Sequence, residues 1–213
     1  MEITWYGYNC FGLKTKGGSL VVDPYKNDVG LKLPALKANV VIMSDEENKN
    51  NDAKNIEGEP KILTWPGEYE VAGIAITALQ IGKPADAKKA ADKKSMIYSF
   101  DADGLKVCYI SNFMTPISDE LMESIGDVDI LVVPVGKDHF EEIHKTIEEI
   151  EPRIVVPIGY KTAGLKIETG DLEAFLKKTG TPSGKTSDKF SVSSRTELPQ
   201  EKTEFVILNA KNA

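Results

Sequence analysis

One short polar loop concentrates the residues whose types and spacing could do chemistry, since three acidic residues closely follow the apolar segment 38–43. Asp45, Glu46 and Glu47 supply carboxylate oxygens, which hard cations such as Mg²⁺, Mn²⁺ or Ca²⁺ bind without histidine. Lys49 carries an ammonium group with three donors and no lone pair, so it competes with a metal ion for these carboxylates. The loop therefore indicates a polar cluster organised around Lys49, an oxygen-ligated metal site, or a solvated loop without a role.

The remaining reactive side chains form no set typical of catalysis or of zinc binding. His139 and His144 flank an apolar helical stripe without joining it, so we expect both to face solvent. Cys10 and Cys108 each lie in an apolar segment, which favours buried thiols over a disulfide. The run 180–186 is similar to a phosphate-binding loop, but three residues separate its glycines where the motif has four.

The composition is that of an ordinary globular chain with an acidic balance. The 213 residues carry 26 Lys and Arg against 33 Asp and Glu, a formal net charge of -7, which argues against a nucleic-acid surface. No apolar run approaches the ~18 residues that span a bilayer, and the first residues lack a signal-peptide pattern. We therefore expect a single domain over residues 1–213 that is cytoplasmic and has neither nucleic acid nor membrane as a partner.

The predicted elements that position the polar loop change along the chain from β-strands to alternating strands and helices. Up to about residue 110 the sequence consists of short β-rich segments separated by turn residues, with Lys16, Gly17 and Gly18 as a hairpin signal. After residue 115, strand-like segments alternate with helical patterns, one of which stops at Pro152 and the last of which covers 169–179. Antiparallel hairpins followed by α/β units predict a layered α/β or α+β sandwich.

Seven stretches of the chain occur in an order that carries a family resemblance. They are 5–11, 20–25, 38–44, 66–71, 103–108, 126–136 and 150–157. Together they resemble the metallo-β-lactamase superfamily, and within it the branch of L-ascorbate-6-phosphate lactonase-like hydrolases. The resemblance implies a four-layer αββα sandwich, in agreement with the order of strands and helices above.

The same resemblance implies where a metal site would lie. Members of the superfamily hold one or two metal ions with a His-x-His-x-Asp-His loop after the fourth strand, where the ions polarise the substrate and generate hydroxide. Here Asp45, Glu47 and Asn50 stand at the histidine positions of that loop, and Lys49 stands at the position of the metal-binding aspartate. All four ligands of the motif are replaced.

Other positions that line the site in the family are also changed. Tyr8 replaces the histidine of a Gly-His-Ser-Cys start, and Asn112 replaces an aspartate that bridges the metals. A late His-Tyr pair reads Gly159-Tyr160. Asp23, at the end of a strand, is a further candidate, either as a site residue or as a buried hydrogen-bond acceptor.

We therefore predict a non-catalytic member of the fold, a pseudoenzyme without cofactor or metal, that binds a small molecule or a protein partner through the former active-site cleft. The alternative is a residual hydrolase of a phosphorylated or lactone/ester-type small molecule, acting with a non-zinc metal or with none. We also predict that Lys49 lies in the cleft and pairs with Asp45 or Glu47, in place of the lost metal ion. The candidate cleft residues are Tyr8, Asp23, Asp45, Glu47, Lys49, Asn50, Asn112 and Tyr160.

Overall fold

A computed structural model describes residues 1–45, 48–81, 95–111, 117–137, 139–181 and 186–212. The first part of the chain forms β1 (Glu2–Gly7), β2 (Cys10–Lys14), β3 (Ser19–Val22), β4 (Leu36–Lys37), β5 (Val40–Ile42), β6 (Ile56–Glu57), β7 (Lys61–Leu63), β8 (Gly67–Val71) and β9 (Ile74–Ile81). The second part forms β10 (Ser95–Ala102), β11 (Leu105–Ile110), α1 (Asp119–Ile125), β12 (Ile130–Pro134), α2 (Phe140–Ile150), β13 (Ile154–Ile158), α3 (Leu172–Lys178), β14 (Thr186–Ser187), β15 (Phe190–Ser191), β16 (Glu204–Phe205) and β17 (Ile207–Leu208).

Two mixed sheets carry the fold. The first has the order β15-β1-β2-β3-β5-β7, with antiparallel hairpins from β1 to β3 and parallel pairing from β3 to β7. The second has the order β16-β13-β12-β11-β10-β9-β8, with an antiparallel meander from β8 to β11 and parallel pairing from β11 to β16. The predicted mixed α/β fold class is confirmed.

The inner faces of the two sheets form one apolar core. Trp5 and Phe11 of the first sheet are fully buried, as are Phe100 and Tyr109 of the second. The Phe11 and Tyr109 rings meet edge to face with centroids 5.2 Å apart, an arrangement that aromatic pairs prefer. Cys10 and Cys108 are both free and buried, as the sequence predicted.

The α-helices begin and end where their residues dictate. Ser118 caps α1 by accepting a hydrogen bond from the Leu121 backbone N–H, and α2 ends at Ile150, two residues before Pro152. The predicted last helix is shorter than 169–179, because Asp171 accepts a hydrogen bond from the Ala174 N–H and fixes the start of α3. Within the described ranges, no helix is long and apolar enough to cross a membrane.

The outer layers of the sandwich differ between the two sheets. In the described part of the chain all three α-helices follow β11, and buried residues of α2 and α3 such as Ile143 and Phe175 join the main core. The outer side of the first sheet instead packs part of its surface against loop residues and a 3₁₀ turn at Asn27–Val29, through a smaller cluster that includes Val21 and Tyr25. Among the described residues, no α-helix packs on that face.

Candidate functional site

Asp23 lies at the buried centre of the candidate site, directly after β3. Its carboxylate is surrounded by donors: Oδ1 accepts from the Ser44 backbone N–H (2.7 Å) and from Asn51 Nδ2 (3.2 Å). Oδ2 accepts from Ser44 Oγ (2.6 Å) and from the Tyr109 hydroxyl (3.0 Å). One side chain thus joins the first sheet, the second sheet and both flanks of the loop between Ser44 and Asn51.

Burial raises the pKa of the Asp23 carboxyl group from 3.8 to about 6, because the charged form loses its hydration. The hydrogen bonds from Ser44 and Tyr109 act in the opposite direction, and the negative charge of Asp45 adds to the rise. Burial, followed by the charge of Asp23, also raises the pKa of Tyr109 well above its ordinary value, so this phenol stays protonated and donates. Asp23 is therefore ionised at neutral pH but titrates within reach of mildly acidic conditions.

A cavity of about 250 Å³ lies beside Asp23. It forms at the carboxyl ends of β3, β5, β11, β12 and β13, which is where ligands bind in sheets with parallel strands. The residues that follow or close these strands and line the cavity are Asp23, Ser44, Ser111, Pro134 and Gly159.

Further polar residues from the surrounding loops complete the cavity wall. His139 lines it with a side chain that is 37% exposed, at the start of α2. Glu168 lines it as well and pairs with Lys137, whose hydrogen bond lowers the pKa of the Glu168 carboxyl group. Thr169 Oγ1 is buried and makes no hydrogen bond within the described structure. His139, Glu168 and Asn9 therefore offer both donors and acceptors to a bound molecule.

The structure brings three of the predicted cleft residues, Tyr8, Asp23 and Asp45, to the cavity wall. Tyr160 lies behind it, where its hydroxyl donates to the Leu208 carbonyl (2.6 Å) and its ring stands 4.3 Å from that of Trp5. Gly159 lines the cavity in its place.

The loop positions that replace the family ligands are spread more widely. Lys49 is exposed, its backbone carbonyl accepts from Lys26 Nζ (2.7 Å), and the neighbouring Asn48 lines the cavity. Asn50 is half-buried and donates its backbone N–H to Asn48 Oδ1 (3.0 Å). Glu47 and Asn112 lie outside the described residues, as do Glu46 and Asp138. The predicted pairing of Lys49 with Asp45 or Glu47 stays a prediction.

Sequence reasoning missed His139, Asn9, Glu168 and Thr169. The sequence predicted a solvent-facing His139, and the side chain is indeed partly exposed, but it also lines the cavity. A positional signal was available, because His139 lies just after a strand of a parallel pair, at the edge where such sites form. Glu168 and Thr169 carry no local signal, since they reach the cavity only through the path of the loop after β13.

The donor set of the described residues does not fit a zinc ion. Zinc sites use three or four imidazole, thiolate or carboxylate ligands at fixed geometry. Within the described ranges, no three His, Cys, Asp or Glu residues lie together in a way that could hold a metal. Both oxygens of Asp23 already accept two hydrogen bonds each from protein donors. An oxygen-ligated site at Asp45, Glu46 and Glu47 stays a prediction, because two of its members lie outside the described residues.

Comparisons with known proteins agree with this architecture. Residues 2–159 match the family model described as a β-lactamase superfamily domain. A UPF0173 protein of Pyrococcus abyssi is 26% identical over 204 residues, which cover 84% of this chain and 90% of that protein. A UPF0173 metal-dependent hydrolase of Lysinibacillus sphaericus is 23% identical over 203 residues, covering 76% and 86%.

A solved structure from Thermotoga maritima, described as a Zn-dependent hydrolase of the metallo-β-lactamase superfamily, superposes with a TM-score of 0.77. It is 24% identical, and the match covers 97% of both chains. At that identity the likeness shows a shared fold.

Proposed function

Because this chain belongs to the metallo-β-lactamase superfamily, we propose that it keeps the superfamily's site as a binding cavity and has lost its zinc-dependent hydrolysis. In this proposal it is a pseudoenzyme that recognises a small polar molecule at the carboxyl ends of the strands. The L-ascorbate-6-phosphate lactonase-like branch is the part of the superfamily to which we assign it.

The observation that carries the proposal is that no histidine stands at the ligand positions of the family's metal-binding loop. Asp23, the buried carboxylate beside that loop, accepts four hydrogen bonds from protein donors. The loop ligand positions carry Asp45, Lys49 and Asn50 instead of the family's histidines and aspartate. A lysine or an amide nitrogen cannot ligate zinc as imidazole does.

The chemistry of the cavity wall supports a polar ligand. Asn9, Asn48 and His139 line the cavity and carry amide and imidazole groups. A cavity of about 250 Å³ suits a compact molecule with several hydroxyl or carbonyl groups.

Metal analysis of the untagged protein by mass spectrometry, together with turnover assays on lactone, phosphoester and β-lactam substrates, tests this proposal. We expect far less than one zinc per chain and no turnover that responds to added Zn²⁺ or Mn²⁺. In parallel, a library of sugar phosphates and polyols is screened by thermal shift against the wild type and His139→Ala, and we expect at least one compound to stabilise only the wild type. Stoichiometric zinc, or activity that a chelator abolishes, contradicts the proposal.

The alternative is a hydrolase that works with a non-zinc metal or with none. It is favoured by the name of the Lysinibacillus sphaericus relative, a metal-dependent hydrolase, and by the three acidic residues Asp45, Glu46 and Glu47. Under this alternative, Mg²⁺ or Mn²⁺ supports hydrolysis of a phosphorylated or lactone/ester-type compound, and Asp45→Ala removes that activity. Under the pseudoenzyme proposal Asp45→Ala has no activity to remove.

A further inference from the structure

The charge of the cavity wall beside Asp23 restricts the class of polar molecule that the cavity suits. Asp23, Asp45 and Glu168 bring carboxylates to the wall, and among the described residues that line the cavity none is Lys or Arg. Lys137, which does not line the cavity, pairs with Glu168. The negative charge of Asp45 reaches Asp23, because it adds to the rise in the pKa of the Asp23 carboxyl group. A bound anion therefore meets repulsion in this cavity, and a bound cation meets attraction.

The imidazole in the wall does not reverse this sign. His139 Nδ1 lies 4.0 Å from a carboxylate oxygen of Glu142, so a carboxylate accompanies the imidazole on its own helix. Even with a protonated His139, the described wall carries more negative than positive charge through Asp23 and Asp45.

A second and independent feature of the wall is the Tyr8 side chain. Tyr8 lines the cavity, yet the residue is only 8% exposed. Its backbone has a left-handed φ of 47°, and its carbonyl accepts a hydrogen bond from Trp5 Nε1 (2.8 Å), so the main chain holds the side chain in place. Within the described residues the Tyr8 hydroxyl makes no hydrogen bond. Since buried polar groups are normally hydrogen-bonded, this hydroxyl points to a partner group on a bound molecule.

An occupant that complements both features carries a positive group and a hydroxyl group. We propose that the ligand of this cavity is a small hydroxylated amine, with its ammonium group toward Asp45 and a hydroxyl group at Tyr8. The inference rests on the proposed function, because it names the class of molecule that the binding cavity recognises. An ammonium group offers three donors to carboxylate and amide oxygens. A phosphorylated compound of the same size instead places its negative charge against Asp23 and Asp45.

The experiment compares compounds that differ only in one terminal group. Isothermal titration calorimetry near pH 7.5 measures the binding of 1-amino-1-deoxysorbitol, sorbitol and sorbitol 6-phosphate to the untagged protein. The comparison is repeated with 3-amino-1,2-propanediol, glycerol and glycerol 3-phosphate. We expect one amine per chain, bound at least about tenfold more tightly than the matching alcohol, and no binding of the phosphate.

Two substitutions test the two contacts separately. We expect Asp45→Asn to weaken amine binding about tenfold and to leave alcohol binding unchanged, because it removes only the charge. Tyr8→Phe keeps the ring and should weaken the binding of amine and alcohol alike by about fivefold. The exposed Asp28→Asn is the control for the change of charge, and it should alter amine binding by less than about twofold. Thermal melting of each variant shows whether the fold is intact.

The outcomes separate this inference from the proposed function. Binding of an alcohol or a phosphate as tightly as the amine, lost in His139→Ala, overturns the inference and leaves the proposed function in place. Failure of both amines to bind also overturns the inference. So does stabilisation by Mg²⁺ without amine binding, if Asp45→Asn removes it, because the carboxylates then serve a metal ion. Stoichiometric zinc, or turnover that a chelator abolishes, contradicts the proposed function itself.

Discussion

Replacing the buried Asp23 with asparagine removes a negative charge while keeping the shape of the side chain. The amide oxygen can still accept from the Ser44 backbone and from Asn51, as Oδ1 does now. The hydroxyls of Ser44 and Tyr109 can rotate to accept from the new amide nitrogen. Asp23 has a left-handed backbone with φ 44°, a conformation that asparagine adopts at least as readily as aspartate. Asp23→Asn therefore isolates the effect of the charge.

The magnitude follows from the pKa of Asp23, which is raised from 3.8 to about 6 on folding. At a pH below the pKa of Asp23 in the unfolded chain, its carboxyl group is protonated in both the folded and the unfolded state. Between the unfolded and the folded pKa, the folded state keeps a proton that the unfolded state has released. The free energy of unfolding of the wild type therefore falls as pH rises across this window and stays low above it, by about 3 kcal/mol in total. Asparagine does not titrate, so the variant lacks this loss.

Urea unfolding near pH 4 and near pH 7.5 measures the effect as a difference between variant and wild type. Because the unfolded carboxyl group has already released part of its proton at pH 4, we expect the stability of Asp23→Asn relative to the wild type to rise by about 2.4 kcal/mol between these conditions, whatever its stability at the lower pH. The exposed Asp28→Asn is the control, and its difference from wild type should change by less than about 0.5 kcal/mol. The reasoning is refuted if the difference in free energy of unfolding between Asp23→Asn and the wild type does not change with pH. It is also refuted if the wild type becomes more stable relative to the variant as pH rises.

Three further substitutions test other parts of the structure by the same unfolding assay. Tyr109→Phe removes one donor to Asp23 and should cost about 1 kcal/mol at neutral pH, and a neutral result contradicts the hydrogen bond. Asp129→Ala removes a buried carboxylate that binds two arginines and a backbone N–H, and should lower the free energy of unfolding by about 1–3 kcal/mol. The control Asp127→Ala, at an exposed position nearby, should lower it by less than about 0.5 kcal/mol. Lys49→Met should cost under 1 kcal/mol because Lys49 is exposed, and a larger loss indicates a buried ion pair.

The parts of the fold that local chemistry determines could be predicted from the sequence. The cap at Ser118, the helix stop before Pro152 and the alternation along β1 to β3 depend on neighbours within a few residues. Within the described residues, the outer side of the first sheet packs against loop residues and a 3₁₀ turn. Residues 23–38 contain Pro24, Gly30 and Pro34, which interrupt helical periodicity there.

The candidate site was harder to predict, because it is assembled from segments far apart in the chain. Asp23 could be selected from its position at a strand end, but its partners could not, since Tyr109 comes from the other sheet, 86 residues away. Thr169 reaches the cavity through a loop without periodicity or motif. Such contacts depend on how the two sheets stack. Patterns among neighbouring residues of the sequence do not show which residues of the two sheets meet.

The Asp23 carboxylate binds Ser44 and Asn51, and these two residues bracket the positions 45–50 where the family motif would lie. The loop is thereby fastened at both ends by the protein itself, and its anchoring needs no ligand from within. A substitution between the two anchors leaves the hydrogen bonds of both anchors to Asp23 in place. Such a loop can lose its histidines one after another under neutral drift, and new residues can be selected there for a different ligand while the sandwich persists.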